Sequence, residues 1–557
     1  MAQQIVIIGP TGAGKTTIGQ ALARLLGWRA LDLDEAITQA EGRSADDIFA
    51  SEGEDAWRER ETAALRGAMT RDRVVITLGA GAIERAENRA LMARSETSMG
   101  AWTIALEVAP EVALARIAAQ AAQAGLTAAQ SRPMLSGGDP LARLRALHER
   151  RASLYAQADD IVDASGPVAQ TAARALAGYI FSHQALGAST VWSGSHVTTS
   201  AGEYIVDVGW GLLAMAPAYL QRELRLPPRL SIVSDRNVGP IYAEPLARAL
   251  RKYGFEPELF TIPAGETSKS REVLAEIHDW LAERRVERGE ALLALGGGVV
   301  GDLAGFAAAT WLRGIPFIQL PTSLLAQVDA SIGGKVAIDH PRGKNLIGAF
   351  YQPRLVIADT AVLATLPERQ RIEGWAEVIK HGAALDADYF ELLEREVENL
   401  LAVEPTVTTQ VVAQSVRLKG EIVSEDERES EGGRRALLNF GHTLAHAIEA
   451  VTGYGAWLHG EAVSAGMVFA ARLGVRLGVT PPDVASRLET LLTRFGLPAR
   501  LDGLSGASLL QAALWDKKAR GGQVRWVLLT RLGAAKLVGG AAESDLRATL
   551  TELGAEE

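Results

Sequence analysis

The chain has 557 residues, of which 48% are apolar and 22% charged, with a net charge of −10 and no cysteine. Length alone is a prior for roughly three or four domains of about 150 residues. No Lys/Arg block is present to neutralise a phosphate backbone, which excludes a nucleic-acid binder but not small phosphorylated ligands, and without thiolates any metal must be held by His, Asp or Glu.

The opening MAQQIVIIGP lacks the charged region and cleavage site of a signal peptide. No run approaches the roughly 20 apolar residues of a membrane span. The expected compartment is the cytoplasm, with no membrane and no nucleic acid among the partners. Over residues 1–180, IVIIG (5–9), VVITLG (74–79) and TIALEV (103–108) predict buried parallel strands. Ile18, Leu22, Leu25 and Leu26 repeat between them at helical spacing. The turn from the first strand into this helix reads Gly9-Pro-Thr-Gly12-Ala13-Gly14-Lys15-Thr16-Thr17, a P-loop spacing. Glycines let backbone N–H groups point at phosphates, Lys15 adds a cation, and the Thr16 hydroxyl can ligate Mg2+.

Leu31-Asp32-Leu33-Asp34, Trp57-Arg58-Glu59-Arg60-Glu61, Ser131-Arg132-Pro133-Met134-Leu135 and Arg150-Arg151-Ala152-Ser153-Leu154-Tyr155 follow in order. With the P-loop, this set resembles shikimate kinase. The resemblance implies ATP on Gly12, Ala13, Gly14, Lys15, Thr16, Thr17 and Arg132, and Mg2+ by Thr16 and Asp32. It implies shikimate on Asp34, Arg58, Gly79, Ala80, Gly81 and Arg151, with Lys15, Asp34 and Arg132 catalytic. Arg for a carboxylate and Asp for alcohols fit a hydroxylated acid, and phosphoryl transfer is mostly positioning and charge stabilisation. One departure is Gly79-Ala80-Gly81, where the family has three glycines. Alanine keeps the N–H but takes positive φ at a cost. Gluconate kinase is the alternative reading.

Residues 181–203 are rich in Ser, Gly, Thr and Ala, and read as a linker that becomes the entry strand of a second unit. A second α/β pattern then covers 204–365, with strands LSIVSD (230–235), ALLALGGG (291–298), FIQLPTS (317–323) and RLVIADT (354–360). Gly296-Gly297-Gly298-Val299-Val300-Gly301-Asp302 contains G-x-G-x-x-G, but no acid stands about 20 positions on, at Pro321 and Thr322. From about Pro367 helical runs dominate, giving a mainly helical segment over 366–557.

Small residues surround Asp329, Lys335, Lys344 and Asn345, which suits a hydroxyl-rich phosphate packed against backbone. Ala376-Glu377-Val-Ile-Lys380-His381, Arg417-Leu-Lys419, Arg435, Asn439-Phe-Gly-His442-Thr-Leu-Ala-His446 and His459-Gly-Glu461 follow. His442 and His446 are spaced i, i+4 and share one helical face, so spacing alone would pair them on a metal.

Residues 190–557 resemble 3-dehydroquinate synthase, above all from Pro321 to Pro353 and in NFGHTLAHAIE. The resemblance implies an α/β NAD-binding domain followed by an all-helical metal-binding domain. It implies Zn2+ (or Co2+) on Glu377, His442 and His459, leaving His446 to substrate or proton handling. Implied NAD-site residues are Asp235, Glu266, Lys269, Gly298, Val299, Asp302, Thr322, Ser323, Lys335, Lys344 and Thr365. Lys335, Lys380, Lys419, Arg435, Asn439 and His446 are implied in catalysis, and Asp329, Asn345 and one of Lys517 and Lys518 in holding the heptulosonate phosphate. The implied reaction oxidises one alcohol transiently on NAD+, eliminates phosphate, returns the hydride and closes the carbocycle by an aldol step, without net redox. A homodimer through the synthase part is compatible with this reading. A related sugar-phosphate cyclase, a polyol dehydrogenase and an inactive interaction module are the alternatives.

Overall fold

A computed structural model describes residues 4–93, 101–123, 125–128, 132, 135, 138–182, 193–222, 224–430, 432–453, 455–518 and 524–556. The chain divides into two compact units, residues 1–183 and 184–557. Each is described by itself.

The first unit is built on a five-stranded sheet of order β2-β3-β1-β4-β5, parallel throughout: β1 Gln4–Ile8, β2 Arg29–Asp32, β3 Val74–Thr77, β4 Trp102–Glu107 and β5 Asp160–Asp163. β1 and β3 are buried along their whole length, as expected of strands covered by helices on both faces. Strand β1 lies between β3 and β4, so the chain leaves its C-terminal end at a topological switch point, the usual place for a ligand crevice. Helix Lys15–Leu26 starts there and ends on Gly27 in the left-handed region.

The second unit carries a seven-stranded sheet of order β6-β7-β14-β11-β10-β8-β9. Its strands are β6 Ser193–Thr199, β7 Gly202–Gly209, β8 Arg229–Asp235, β9 Glu256–Ile262, β10 Ala291–Gly296, β11 Phe317–Pro321 and β14 Leu355–Asp359. A hairpin, β12 Lys335–His340 and β13 Gly343–Phe350, stands apart as its own two-stranded sheet. Within the stretch read as a linker that becomes an entry strand, residues 193–199 form β6. Its seven residues pair antiparallel with β7 from Ser193–Val208 to Thr199–Gly202, because Thr and Val in this run take β geometry and Val197 is fully buried.

Beyond Glu368 the unit is helical, except for a second hairpin, β15 Arg525–Arg531 and β16 Ala534–Gly539. One continuous core joins Val206, Leu324, Val328 and Val356 of the α/β part to Trp375, Ile379, Phe440 and Phe469 of the helical part. That shared core is why the length prior of three or four domains resolves into two compact units. Among the described residues no helix is long and apolar enough to cross a membrane.

Candidate active sites

In the first unit, Gly9, Gly12 and Gly14 have φ of 147°, 83° and 84°. A Cβ at Gly9 would lie 2.8 Å from the Leu106 carbonyl oxygen, and one at Gly12 2.7 Å from that of Ala113. Glycine is therefore required twice over, by conformation and by space. Ala13 is buried, and Thr17 lies in the first helical turn. Lys15 Nζ donates to the carbonyls of Gly9 (3.0 Å) and Pro10 (3.1 Å), and burial lowers its pKa to about 8. Thr16 Oγ1 donates to Asp32 Oδ2 at 2.5 Å, and Thr77 Oγ1 donates to the same oxygen at 3.0 Å. A hydroxyl and a carboxylate side by side after a P-loop are the hard oxygen donors that Mg2+ takes. Arg132 is close enough to lower the Lys15 pKa further. Its neighbours Ser131, Pro133 and Met134 lie outside the described residues.

Beside this loop, the carboxylates of Asp34 and Glu61 lie close together, Glu61 buried and Asp34 partly so. Burial first, then the Glu61 and Asp32 charges, raise Asp34 to about 6. Burial likewise raises Glu61. Glu61 Oε2 accepts from Arg58 Nη1 at 2.7 Å, and Glu54 accepts from Nη2 at 2.8 Å. Arg151, only 5% exposed, donates through Nε to Glu84 Oε1 at 2.5 Å, and Arg150 donates to the same oxygen at 2.7 Å. The sequence motif assigns Glu61 no role, and nothing local in the sequence points to Glu84. The i, i+3 spacing from Arg58 was the one local signal for Glu61.

Gly79 and Gly81 face this cluster. A Cβ on Gly79 would lie 2.5 Å from Glu61 Oε1 and 2.8 Å from Asp34 Oδ1, and one on Gly81 would collide with the Arg58 guanidinium. Gly81 has φ of −91°, and neither Gly79 nor Ala80 takes positive φ. A Cβ on either outer glycine would thus push aside the ends of Arg58, Glu61 or Asp34, and the alanine between them is unstrained. Its carbonyl accepts from the Tyr155 hydroxyl at 3.3 Å.

In the second unit the chain leaves β8 for β9 on one side and β10 on the other, so a switch point lies between Asp235 and Gly296. A Cβ on Gly296 would lie 2.5 Å from Val300, and one on Gly301 2.7 Å from Gln319 Oε1. These two glycines bring the helix Gly298–Thr310 close to the sheet. Gly297 caps that helix, Val299 is in its first turn, and a Cβ on Gly297 or Gly298 would find its nearest atoms 3.4 and 3.5 Å away. Backbone N–H groups at such an end suit a pyrophosphate.

Thr322 N donates to the Gly296 carbonyl at 2.9 Å, and Ser323 Oγ accepts from the Ala326 amide. Asp235 Oδ1 accepts from the amides of Asn237 and Val238, holding the turn after β8. Lys269 Nζ donates to Asp302 Oδ2 (2.9 Å) and Asn345 Oδ1 (2.5 Å), with Glu266 at 3.8 Å. Burial raises Asp302 to about 6 although Lys269 opposes it. Asn345, expected to hold substrate hydroxyls, is thus brought to the Lys269 cluster. Thr365 Oγ1 shares a hydrogen bond with the Tyr242 hydroxyl at 2.7 Å.

The helical part supplies a second cluster. Glu377 is fully buried on helix Glu368–Leu385, His442 opens helix His442–Thr452, and His459 opens helix His459–Arg476. His442 Nε2 and His459 Nε2 lie 3.6 and 3.7 Å from Glu377 Oε1. Their ligand atoms lie within 4.8 Å of one another. Glu377 Oε1 is buried without a hydrogen-bond partner, and only Oε2 meets a protein cation, that of Lys380; a buried carboxylate oxygen left so is costly unless a further cation meets it. Burial and Lys380 hold His442 well below the usual imidazole range, leaving it neutral as a ligand must be.

The remote nitrogens of both imidazoles are also engaged. His442 Nδ1 is 3.3 Å from the Phe440 carbonyl, and His459 Nδ1 is 3.5 Å from Glu449 Oε1. This is the outer-shell pattern of a histidine metal site. Burial pushes the Glu449 carboxyl up, but His459 and Lys344 outweigh it and hold it at about 2. Of the two pairings that sequence left open, the structure brings together Glu377, His442 and His459. The His446 ring stands 5.7 Å from that of His442, edge to face.

Around this centre, Lys380 Nζ pairs with Glu377 Oε2, and Lys419 Nζ donates to both the carbonyl and Oδ1 of Asp329 at 2.5 Å. Burial raises the Asp329 carboxyl, but Lys419 and Lys380 outweigh it and hold it well below the usual range. Glu429 takes Lys335 Nζ on Oε2 (2.5 Å) and Asn439 Nδ2 on Oε1 (2.7 Å). Arg435 is buried and donates to the Glu427 carbonyl. Neither Glu429 nor Glu449 is assigned a role by the sequence motifs, although Glu449 lies on the His442–His446 helix three residues past His446, on the same face. The side chains of Lys517 and Lys518 lie outside the described residues.

Comparisons with known proteins divide the chain in the same way. Residues 11–180 match the family model for shikimate kinase. Residues 259–373 match the 3-dehydroquinate synthase N-terminal model, and 374–519 its C-terminal counterpart. A 3-dehydroquinate synthase from Nitrosomonas europaea is 49% identical over 333 residues, covering 60% of this chain and 89% of that protein. One from Caulobacter vibrioides is 48% identical over 358 residues, covering 63% and 96%. Among solved structures, a 2-epi-5-epi-valiolone synthase from Streptomyces hygroscopicus with NAD+ and Zn2+ bound is 28% identical. It covers 63% of this chain and 96% of its own at a TM-score of 0.58. A 2-deoxy-scyllo-inosose synthase complexed with carbaglucose-6-phosphate, NAD+ and Co2+ is 26% identical, covering 65% and 100%, also at 0.58.

Proposed function

We propose that this chain, which belongs to the 3-dehydroquinate synthase family and carries a shikimate kinase domain ahead of it, catalyses two separate reactions of the shikimate pathway. One is ATP-dependent phosphorylation of shikimate to shikimate 3-phosphate. The other is NAD- and metal-dependent conversion of 3-deoxy-D-arabino-heptulosonate 7-phosphate to 3-dehydroquinate and phosphate. The supporting observation is that each compact unit holds its own set of phosphate-, carboxylate- and proton-handling groups.

In the kinase, the amides from Gly12 to Thr17 and Lys15 hold the ATP phosphates, and Thr16 and Asp32 hold Mg2+. Arg58 and Arg151 bind the shikimate carboxylate, and Ala80 offers its amide between Gly79 and Gly81. Asp34 accepts the proton of the attacking hydroxyl as the γ-phosphoryl group passes to that oxygen and ADP leaves. Arg132 neutralises the charge in flight.

In the synthase, Glu377, His442 and His459 hold the metal. The crevice between Asp235 and Gly298 receives the dinucleotide, with Val299, Glu266, Lys269, Asp302, Thr322, Ser323, Lys344 and Thr365 around it. When bound, the metal supplies a Lewis acid and NAD+ a reversible hydride acceptor. Lys335, Lys380, Lys419, Arg435, Asn439 and one of Lys517 and Lys518 bind the anionic groups of substrate. Asp329 and Asn345 take its hydroxyls, and His446 handles a proton. A homodimer through the synthase part belongs to this reading, and the cytoplasm supplies both ATP and NAD. Sedimentation of the full chain tests the dimer.

Paired assays on the intact chain test the whole reading. Shikimate and ATP should yield ADP, and the heptulosonate phosphate with NAD+ and Zn2+ should release phosphate without accumulating reduced dinucleotide. A chelator should abolish only the second activity once Mg2+ is restored. Stoichiometric reduced NAD would replace the synthase by a dehydrogenase, and ADP formed faster with gluconate would replace the kinase.

A further inference from the structure

Glu449 makes two contacts that join distinct sites. Its Oε1 lies 3.5 Å from Nδ1 of the metal-site His459 and 3.4 Å from Nζ of Lys344. Lys344 stands on β13 and also lies 3.5 Å from Glu266, which neighbours the Lys269–Asp302 pair of the dinucleotide crevice. Glu449 is 4% exposed, so it reaches these partners without competition from bulk water. One carboxylate oxygen thus serves an imidazole of the metal site and a lysine of the hairpin beside the dinucleotide.

We infer that Glu449 is a positioning residue that couples the two cofactor sites: Lys344 competes with His459 for its carboxylate, so dinucleotide that draws Lys344 away tightens the metal. The inference rests on the synthase reading above. A carboxylate on the remote nitrogen of a ligating histidine fixes its tautomer and raises its basicity, and losing such a partner typically weakens metal binding about 10- to 100-fold. A cation sharing that carboxylate reduces its effect. Linkage makes the coupling reciprocal: metal must strengthen dinucleotide binding by the same factor.

The test measures Zn2+ dissociation constants of the metal-stripped full chain by chelator competition, with and without saturating NAD+, beside circular dichroism. For the native chain, NAD+ should tighten Zn2+ several-fold. E449Q should weaken Zn2+ about 10- to 100-fold and remove the dependence on NAD+. K344M should tighten Zn2+ in the absence of NAD+, and E449Q/K344M should match E449Q, because the lysine acts through the carboxylate. Folded E449Q with native Zn2+ affinity would overturn the inference, as would a double variant tighter than E449Q by the full K344M factor. Failure of the native chain to bind either Zn2+ or NAD+ would instead overturn the synthase reading itself. Should E449Q not fold, K344M and the native response to NAD+ still decide.

Discussion

Gly81 is packed against Arg58 so closely that a single methyl group on the glycine would collide with the guanidinium. Gly79 stands in the same relation to Glu61 and Asp34, whereas Ala80 between them has an ordinary backbone. G81A should therefore displace Arg58 and raise the shikimate KM tenfold or more, about 1.4 kcal/mol, with the ATP KM unchanged. A80G should alter neither constant by more than about twofold. Steady-state kinetics on the two variants checks both expectations.

Asp34 provides a pH prediction. Its carboxyl is raised to about 6 by burial and by Glu61 and Asp32. As the base for the acceptor hydroxyl it works only when ionised, so kinase kcat/KM should fall as pH drops through about 6. The stability sign runs the other way. Ionisation occurs at the ordinary value in the unfolded chain and at the raised value in the folded one, so the folded state loses stability as pH rises between the two. D34N should thus be inactive yet melt higher than the native protein at pH about 8, with the advantage gone below the ordinary carboxyl range. Calorimetry at the two pH values measures it.

Metal removal should separate the two activities. H442A and E377Q should each abolish phosphate release from the heptulosonate substrate and leave the kinase within about twofold. K15A should do the reverse, because P-loop and metal cluster belong to different units. A joint loss in any one of these folded variants would contradict the division.

Lys419 is buried, and its ammonium pairs at 2.5 Å with Asp329, whose side chain is 27% exposed. Removing one partner leaves the other charge uncompensated, whereas removing both leaves none. K419M should therefore lower the melting temperature markedly, and K419M/D329N should recover much of it without recovering activity. Thermal unfolding alongside the phosphate assay distinguishes these outcomes.

Much was legible in the sequence wherever physical cause is local. The P-loop is contiguous, so its positive-φ glycines, lysine and helix start could be read as one motif. Buried parallel strands such as VVIT and ALLALG announce themselves as continuous apolar runs. Motif resemblance supplied the order of the two sets. By contrast, the bounds of the entry strand at 193–199 were not legible, because a Ser/Gly/Thr-rich edge strand carries little apolar signal, and pairing with β7 decided them.

What the sequence by itself determined was the inventory: two catalytic sets in order, no thiol ligands, and acids and histidines available for a metal. Only the tertiary structure decided who meets whom. Glu377, His442 and His459 converge from three helices, Glu84 reaches Arg151 across 67 positions, and Lys344 reaches Glu449 across 105. Spacing along a helix ranks neighbours within one element, but a charge buried between elements is partnered by whichever group packing brings within a few ångströms. In low dielectric that partner sets ionisation and orientation, so the pairs linking Lys344, Glu449 and His459 emerge only once the shared core has formed.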